Sequence, residues 1–277
     1  MPNPIRPFDE ALTLVPDGAR LGVGGVLLRR KPIAFLDALA TAGRRDLRVH
    51  SFLASLDAEL LAVRGALAEM HSGYVGFEQL GRAIGYEAAV RAGRLTAHEY
   101  SELLFVTGLR AAGAGLPFLP TRGATGSDLL AELGLRGVTC PYTGEEVVAV
   151  PAMRLDVAVV HASAAGADGT VLGPAEADFL HDADAVLARA ADVVIVTVER
   201  ILDDERAHAA RHRALLFGHE VDAVVVAPGG ARPTALPGEY PADLAGLRRY
   251  LADPGGGLDP LLAAASAAAA AGTGARR

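Results

Sequence analysis

The segment Asp17-Gly18-Ala19-Arg20-Leu21-Gly22-Val23-Gly24-Gly25-Val26 sets a turn, an apolar run and then paired glycines. Pro32 follows and suits the first turn of a helix. Paired glycines at that point permit positive φ and let backbone N–H groups come close to a ligand. Two nucleotide readings fail. Gly22-x-Gly24 opens a G-x-G-x-x-G fingerprint, but Leu27 stands where its third glycine belongs. No Gly-Lys-Ser/Thr triplet occurs anywhere, which removes a phosphate P-loop. What remains is a glycine turn, used either for tight strand-to-helix packing or for stabilising charge on a ligand oxygen.

Carboxylates able to do acid–base chemistry stand at Glu99 and Glu102, in Glu99-Tyr100-Ser101-Glu102. Thr96-Ala97-His98-Glu99 also matches a capping box, in which Glu99 reaches back to the first residue of a helix. On a helix Glu102 would share a face with Glu99, either solvated or at a site. His208-x-x-x-His212 reads as a surface pair, and no metal-ligand set is expected. His161 ends an apolar run just before an Ala/Gly loop, a common place for substrate contact in a sheet protein. Glu199 and Arg200 end another such run. The one cysteine, Cys140, has no partnering context for a thiolate. Arg29-Arg30-Lys31 is the one concentrated basic patch, a solvated helix start or a means of steering an anion.

These groups need elements to hold them. Near-continuous apolar runs at Arg20–Val26, Leu47–Leu53, Val147–Val150, Leu155–His161, Val193–Glu199 and Val221–Ala227 read as strands covered on both faces. Helical patterns fall at Ile33–Ala42, Thr96–Ala112, Ala175–Ala191, Ala207–Phe217 and Pro241–Leu251. The alternation predicts an α/β protein, a mostly parallel sheet with helices on both faces. Residues 1–254 read as one domain and 255–277 as an Ala/Gly-rich terminal helix or tail. The 277 residues are 51% hydrophobic and 21% charged, enough for a large core. A net charge of −7 argues against a nucleic-acid binder. A single cysteine suits a cytoplasmic protein, Met1–Glu10 carries no signal-peptide pattern, and no membrane partner is expected.

The spacing Asp17-Gly18 … Gly24-Gly25 … Pro32 resembles the first signature of the family I coenzyme A-transferases. Further fragments resemble the A (alpha) subunit of the glutaconate CoA-transferase branch: Gly24 to Pro32, Gly73-Tyr74-Val75-Gly76-Phe77-Glu78 and Leu116 to Arg122. Later come Pro151-Ala152-x-Arg154-x-Asp156, His161-Ala162, Asp168-Gly169-Thr170, Val198-Glu199-Arg200-Ile201 and Ala227 to Thr234. The ordered set runs from Asp17 to Tyr250; Val26 departs from the usual Phe, and Arg30 from a frequent Gly.

The resemblance implies the CoA-transferase (NagB/RpiA-like) fold and a hetero-oligomer acting on an acyl-CoA and a carboxylic acid. No bound cofactor or metal is implied; the CoA thioester is the substrate. Gly24, Gly25 and Val26 would form the oxyanion loop. The nucleophilic glutamate of a Ser-Glu-Asn-Gly motif, absent here, would be carried by a partner B chain and would form a glutamyl-CoA thioester. Arg29, Ser72, Gly73, Tyr74, Glu99 and His161 are the expected substrate-binding residues. A related group implies the alternative of a ring-opening thioester hydrolase, with Glu102 as the base. A non-catalytic scaffold in the same fold is a third possibility.

Overall fold

The computed structural model describes residues 4–176 and 178–274. Met1–Asn3 of the leader reading and residues 275–277 of the tail lie outside the described residues. In chain order the strands are β1 Arg20–Val26, β2 Leu47–Leu53, β3 Leu67–Ser72, β4 Thr96–Glu99, β5 Phe118–Thr121, β6 Arg136–Thr139, β7 Glu146–Pro151, β8 Leu155–Ala162, β9 Ala164–Gly166, β10 Val171–Leu172, β11 Ala191–Val198, β12 Ile201–Leu202, β13 Ala214–Leu216 and β14 Ala223–Val226. The α-helices are α1 Phe8–Leu12, α2 Ile33–Thr41, α3 Leu56–Val63, α4 Ile84–Arg91, α5 Glu102–Gly113, α6 Leu129–Glu132, α7 Asp182–Ala188, α8 Asp204–Ala209, α9 Leu244–Ala252 and α10 Asp259–Gly274.

Seven parallel strands form the main sheet, in the order β14-β11-β8-β1-β2-β3-β4. The apolar runs alternate between two cores. Leu21, Val23, Val157 and Val159 face α1 to α4, with α9 and the start of α10. Val26, Ala158, Val160 and Val196 face α5 and α7. Burial on both faces is why these strands lack a polar side. The chain winds outward from β1 through β4, then returns to lay β8, β11 and β14 on the other side of β1. The crevice of such a sheet opens at that switch point, outside the carboxyl ends of the strands.

Several sequence expectations are corrected. Thr96–Glu99 is a strand in register with Glu69–Ser72, not the first turn of a helix. Helix α5 begins after Ser101, whose hydroxyl accepts the Leu104 N–H at 3.3 Å. Pairing along a sheet edge outweighs the local capping pattern. Glu99 and Glu102 therefore share no helical face. Among the described residues of Ala175–Ala191 only Asp182–Ala188 is helical. Asp203, accepting the Arg206 N–H at 2.9 Å, starts α8 early, and Ala214–Leu216 are taken by β10 as a partner strand. His208 and His212 thus sit in different elements. Leu258, Leu261 and Leu262, at the head of the expected tail, are buried in the first core.

Candidate functional site

The turn after β1 follows from the glycines. Gly25 has φ +75°, and a Cβ there would collide with the Arg29 carbonyl. A Cβ on Gly24 would lie 2.7 Å from Val160 Cγ1. The Val26 N–H donates to the Arg29 carbonyl at 3.0 Å and the Arg29 N–H returns to Val26 at 3.0 Å, so the chain reverses at once. The Leu27 N–H donates to Leu53 at 2.9 Å, and the Gly25 N–H to Asp184 Oδ1 at 2.7 Å. The Gly25 and Val26 amides expected at an oxyanion hole are thus committed to holding the turn.

Arg30 and Lys31 are not a surface patch, since both are fully buried. Arg30 pairs with Asp178 and, through Nε, with Asp184 at 3.0 Å. Lys31 Nζ lies 2.9 Å from Asp57 and donates to Ser51 Oγ at 2.7 Å. Burial lowers the Lys31 pKa, and Asp57 opposes that shift. Sequence gives the charges but not their partners, which come from α3, α7, β2 and the loop before α7. Arg29 alone of the three reaches solvent, with its guanidinium over the Phe179 ring at 5.1 Å.

Two strands away, Ser72, Gly73, Tyr74 and Glu99 come together. They line one cavity of about 260 Å³ with Met70, Val75, Tyr86, Ala97 and His98. The Ser72 hydroxyl donates to the Tyr74 carbonyl at 2.7 Å and the Gly73 N–H to Phe52 at 3.1 Å, which fixes the turn. The Tyr74 ring is exposed and covers Gly76. Glu102, at the first turn of α5, rises beside this turn: its Cγ would be 3.5 Å from a Cβ on Gly73. Its carboxylate is exposed and, among the described residues, makes no hydrogen bond or ion pair.

His161 is placed elsewhere. It is buried, with Nδ1 2.8 Å from Thr197 Oγ1 and Nε2 2.9 Å from Glu199. Glu199 also accepts the Gly229 N–H at 2.8 Å and the Tyr240 hydroxyl at 2.7 Å. Burial alone would raise the Glu199 carboxyl. The His161 ring, the Gly229 amide and the Tyr240 hydroxyl together hold it below the usual range. Both His161 nitrogens are engaged, and the ring sits against Gly230 of the 228–234 loop.

Sequence reading misses a second cluster. His50, His71 and His98 occupy adjacent strands in register, with rings stacked at centroid distances of 4.2 and 4.3 Å. Glu69 joins His71 and His98, and ligand atoms of the three lie within 4.8 Å of one another. The recurring polar position one residue after Val49, Met70 and Ala97 is the available signal; the register that aligns it is tertiary.

The parallel sheet thus carries a glycine turn at its switch point and a loop shelf along its carboxyl edge. The family model described as Coenzyme A transferase matches residues 6–227, and the chain belongs to that family. It is 32% identical over 253 residues to the cholesterol ring-cleaving hydrolase IpdA subunit of Rhodococcus jostii (strain RHA1), covering 88% of this chain and 84% of that one. It is also 32% identical over 262 residues to the A subunit of glutaconate CoA-transferase from Acidaminococcus fermentans, covering 87% and 80%. Among solved structures it is similar to a variant of the decarboxylase AibA/AibB, with TM-score 0.84, 35% identity and coverage of 94% and 99%. Among the described residues, no helix is long and apolar enough to cross a membrane.

Proposed function

We propose that this chain is the A subunit of a two-chain enzyme acting on an acyl-CoA in the cytoplasm, and that Glu102 is the carboxylate it brings to the chemistry. The reaction is hydrolytic opening of a cyclic acyl-CoA. The observation that carries this is the Glu102 carboxylate at the head of α5, beside the Gly73 turn, exposed and without an ion pair among the described residues. In that role Glu102 takes a proton from a water that adds to a ring carbonyl carbon. The C–C bond to the carbon next to the thioester breaks, and its electron pair passes to that carbon. Glu102 then returns the proton there, so that one water is added overall. Exposed Tyr74, Leu103, Leu116 and Phe118 around α5 and β5 offer apolar surface for the B chain. Similarity to the IpdA subunit supports the reading.

A second reading is favoured by an equal likeness to the A subunit of glutaconate CoA-transferase. In it the pair moves CoA between carboxylic acids through a glutamyl-CoA thioester on the B chain, and this chain supplies the Gly24–Val26 turn and part of the acyl pocket.

Co-expression with the adjacent reading frame separates the two. Turnover of a cyclic acyl-CoA that stops in Glu102→Gln, with no adduct trapped by borohydride or hydroxylamine, supports the hydrolase. A trapped glutamyl thioester on the partner, formed equally well with Glu102→Gln, overturns it in favour of the transferase.

A further inference from the structure

We propose that Glu69, His71 and His98 form a binding site for a divalent transition-metal ion of the zinc class, on the sheet face against which Tyr100 and Phe105 pack. Two imidazoles and one carboxylate are a known zinc ligand set, and they leave a fourth position open. His71 Nε2 is 3.3 Å from Glu69 Oε2, and His98 Nε2 is 3.8 Å from the same oxygen. The three come from neighbouring strands, where register fixes their Cα positions: Glu69 and His71 stand on β3, and His98 pairs with His71 on β4.

The supporting shell is also present. The Tyr100 hydroxyl lies 3.2 Å from His71 Nδ1, which leaves Nε2 for a metal. Arg48 Nε is 3.8 Å from the other Glu69 oxygen, and His50 stacks beneath His71 at 4.2 Å. Imidazole lone pairs lie in the ring plane, and the His71 and His98 rings are parallel to within 12°. Binding therefore turns the half-exposed His98 ring about its Cβ–Cγ bond. Two nitrogen donors select zinc or cobalt over magnesium or calcium, which prefer oxygen alone. The ion would clip the four-residue edge strand β4 to β3 and restrain Tyr100, two residues before Glu102.

The test is calorimetric titration of the untagged, EDTA-treated full chain with zinc chloride, repeated with cobalt chloride and read by visible absorption. One equivalent is expected, with tetrahedral cobalt bands and a zinc-dependent rise in Tm. His98→Ala and Glu69→Gln each weaken binding by at least about tenfold, and Tyr100→Phe by roughly 10–100-fold, with His208→Ala/His212→Ala unchanged. Both His98 and Glu69 are half-exposed, so these variants fold even if His71→Ala does not. Absence of binding at millimolar zinc, or equal affinity in the His98→Ala and Glu69→Gln variants, overturns the site.

Discussion

The Asp184 carboxylate accepts the Gly25 N–H at 2.7 Å through one oxygen and the Arg30 Nε at 3.0 Å through the other. One side chain of α7 thus fixes both ends of the turn at the switch point. Asp184→Ala leaves the Gly25 amide without its acceptor and Arg30 with Asp178 as its remaining buried counter-ion. A cost of about 3–5 kcal/mol is expected from urea unfolding. Asp184→Asn, which keeps an acceptor for the amide, should cost less; an equal loss would mean that the charge alone matters.

The paired glycines do different work from Gly18. Nothing lies within 4 Å of a Cβ on Gly18, whose φ is +72°. Gly18→Ala therefore isolates the dihedral cost, about 1–2 kcal/mol. Gly25→Ala, with a similar φ and a backbone carbonyl in its way, should cost clearly more in the same denaturation assay. Gly24→Ala has an ordinary φ but crowds Val160, for about 1–3 kcal/mol.

Exposure makes Glu102 separable from folding. Glu102→Gln should leave stability within about 0.5 kcal/mol of the parent by thermal melt. Under the hydrolase reading the complex loses its turnover, and a stable variant with full turnover removes Glu102 from the chemistry.

Acid should reveal Glu199. Its folded pKa lies below the ordinary value of about 4.3, so the stabilisation is complete above that value and is lost as pH falls through the folded pKa. The parent should be more stable than Glu199→Gln at pH 7, with the gap in Tm closing toward pH 3. A gap that stays constant with pH would show that ionised Glu199 gains nothing from its partners.

The strands β8 and β11 are legible because burial on both faces leaves a near-continuous apolar run. Strand β3 is not, since Glu69 and His71 interrupt its pattern where one face is only half covered. Strand β4 imitates a helix start, and only its pairing with β3 decides otherwise. At the site, Ser72, Gly73, Tyr74 and Glu99 are readable from resemblance and do share a cavity. Arg30 and Lys31 read as surface, because Asp57, Asp178 and Asp184 reach them only through the fold. His161 reads as a ligand contact for the same reason: Thr197 and Glu199 occupy both of its nitrogens.

The strand order β1-β2-β3 also acts as a measure of length. Neighbouring strands stand about 4.8 Å apart, so the turn after β1 and the Gly73 turn after β3 are separated by roughly 10 Å. Under the proposed function, an acyl group that reaches from one turn to Glu102 beside the other is several carbons long, and a two-carbon group falls short. Hydrogen-bonded backbone holds both ends of that interval, so substitutions in the loops would adjust the fit without moving its two ends.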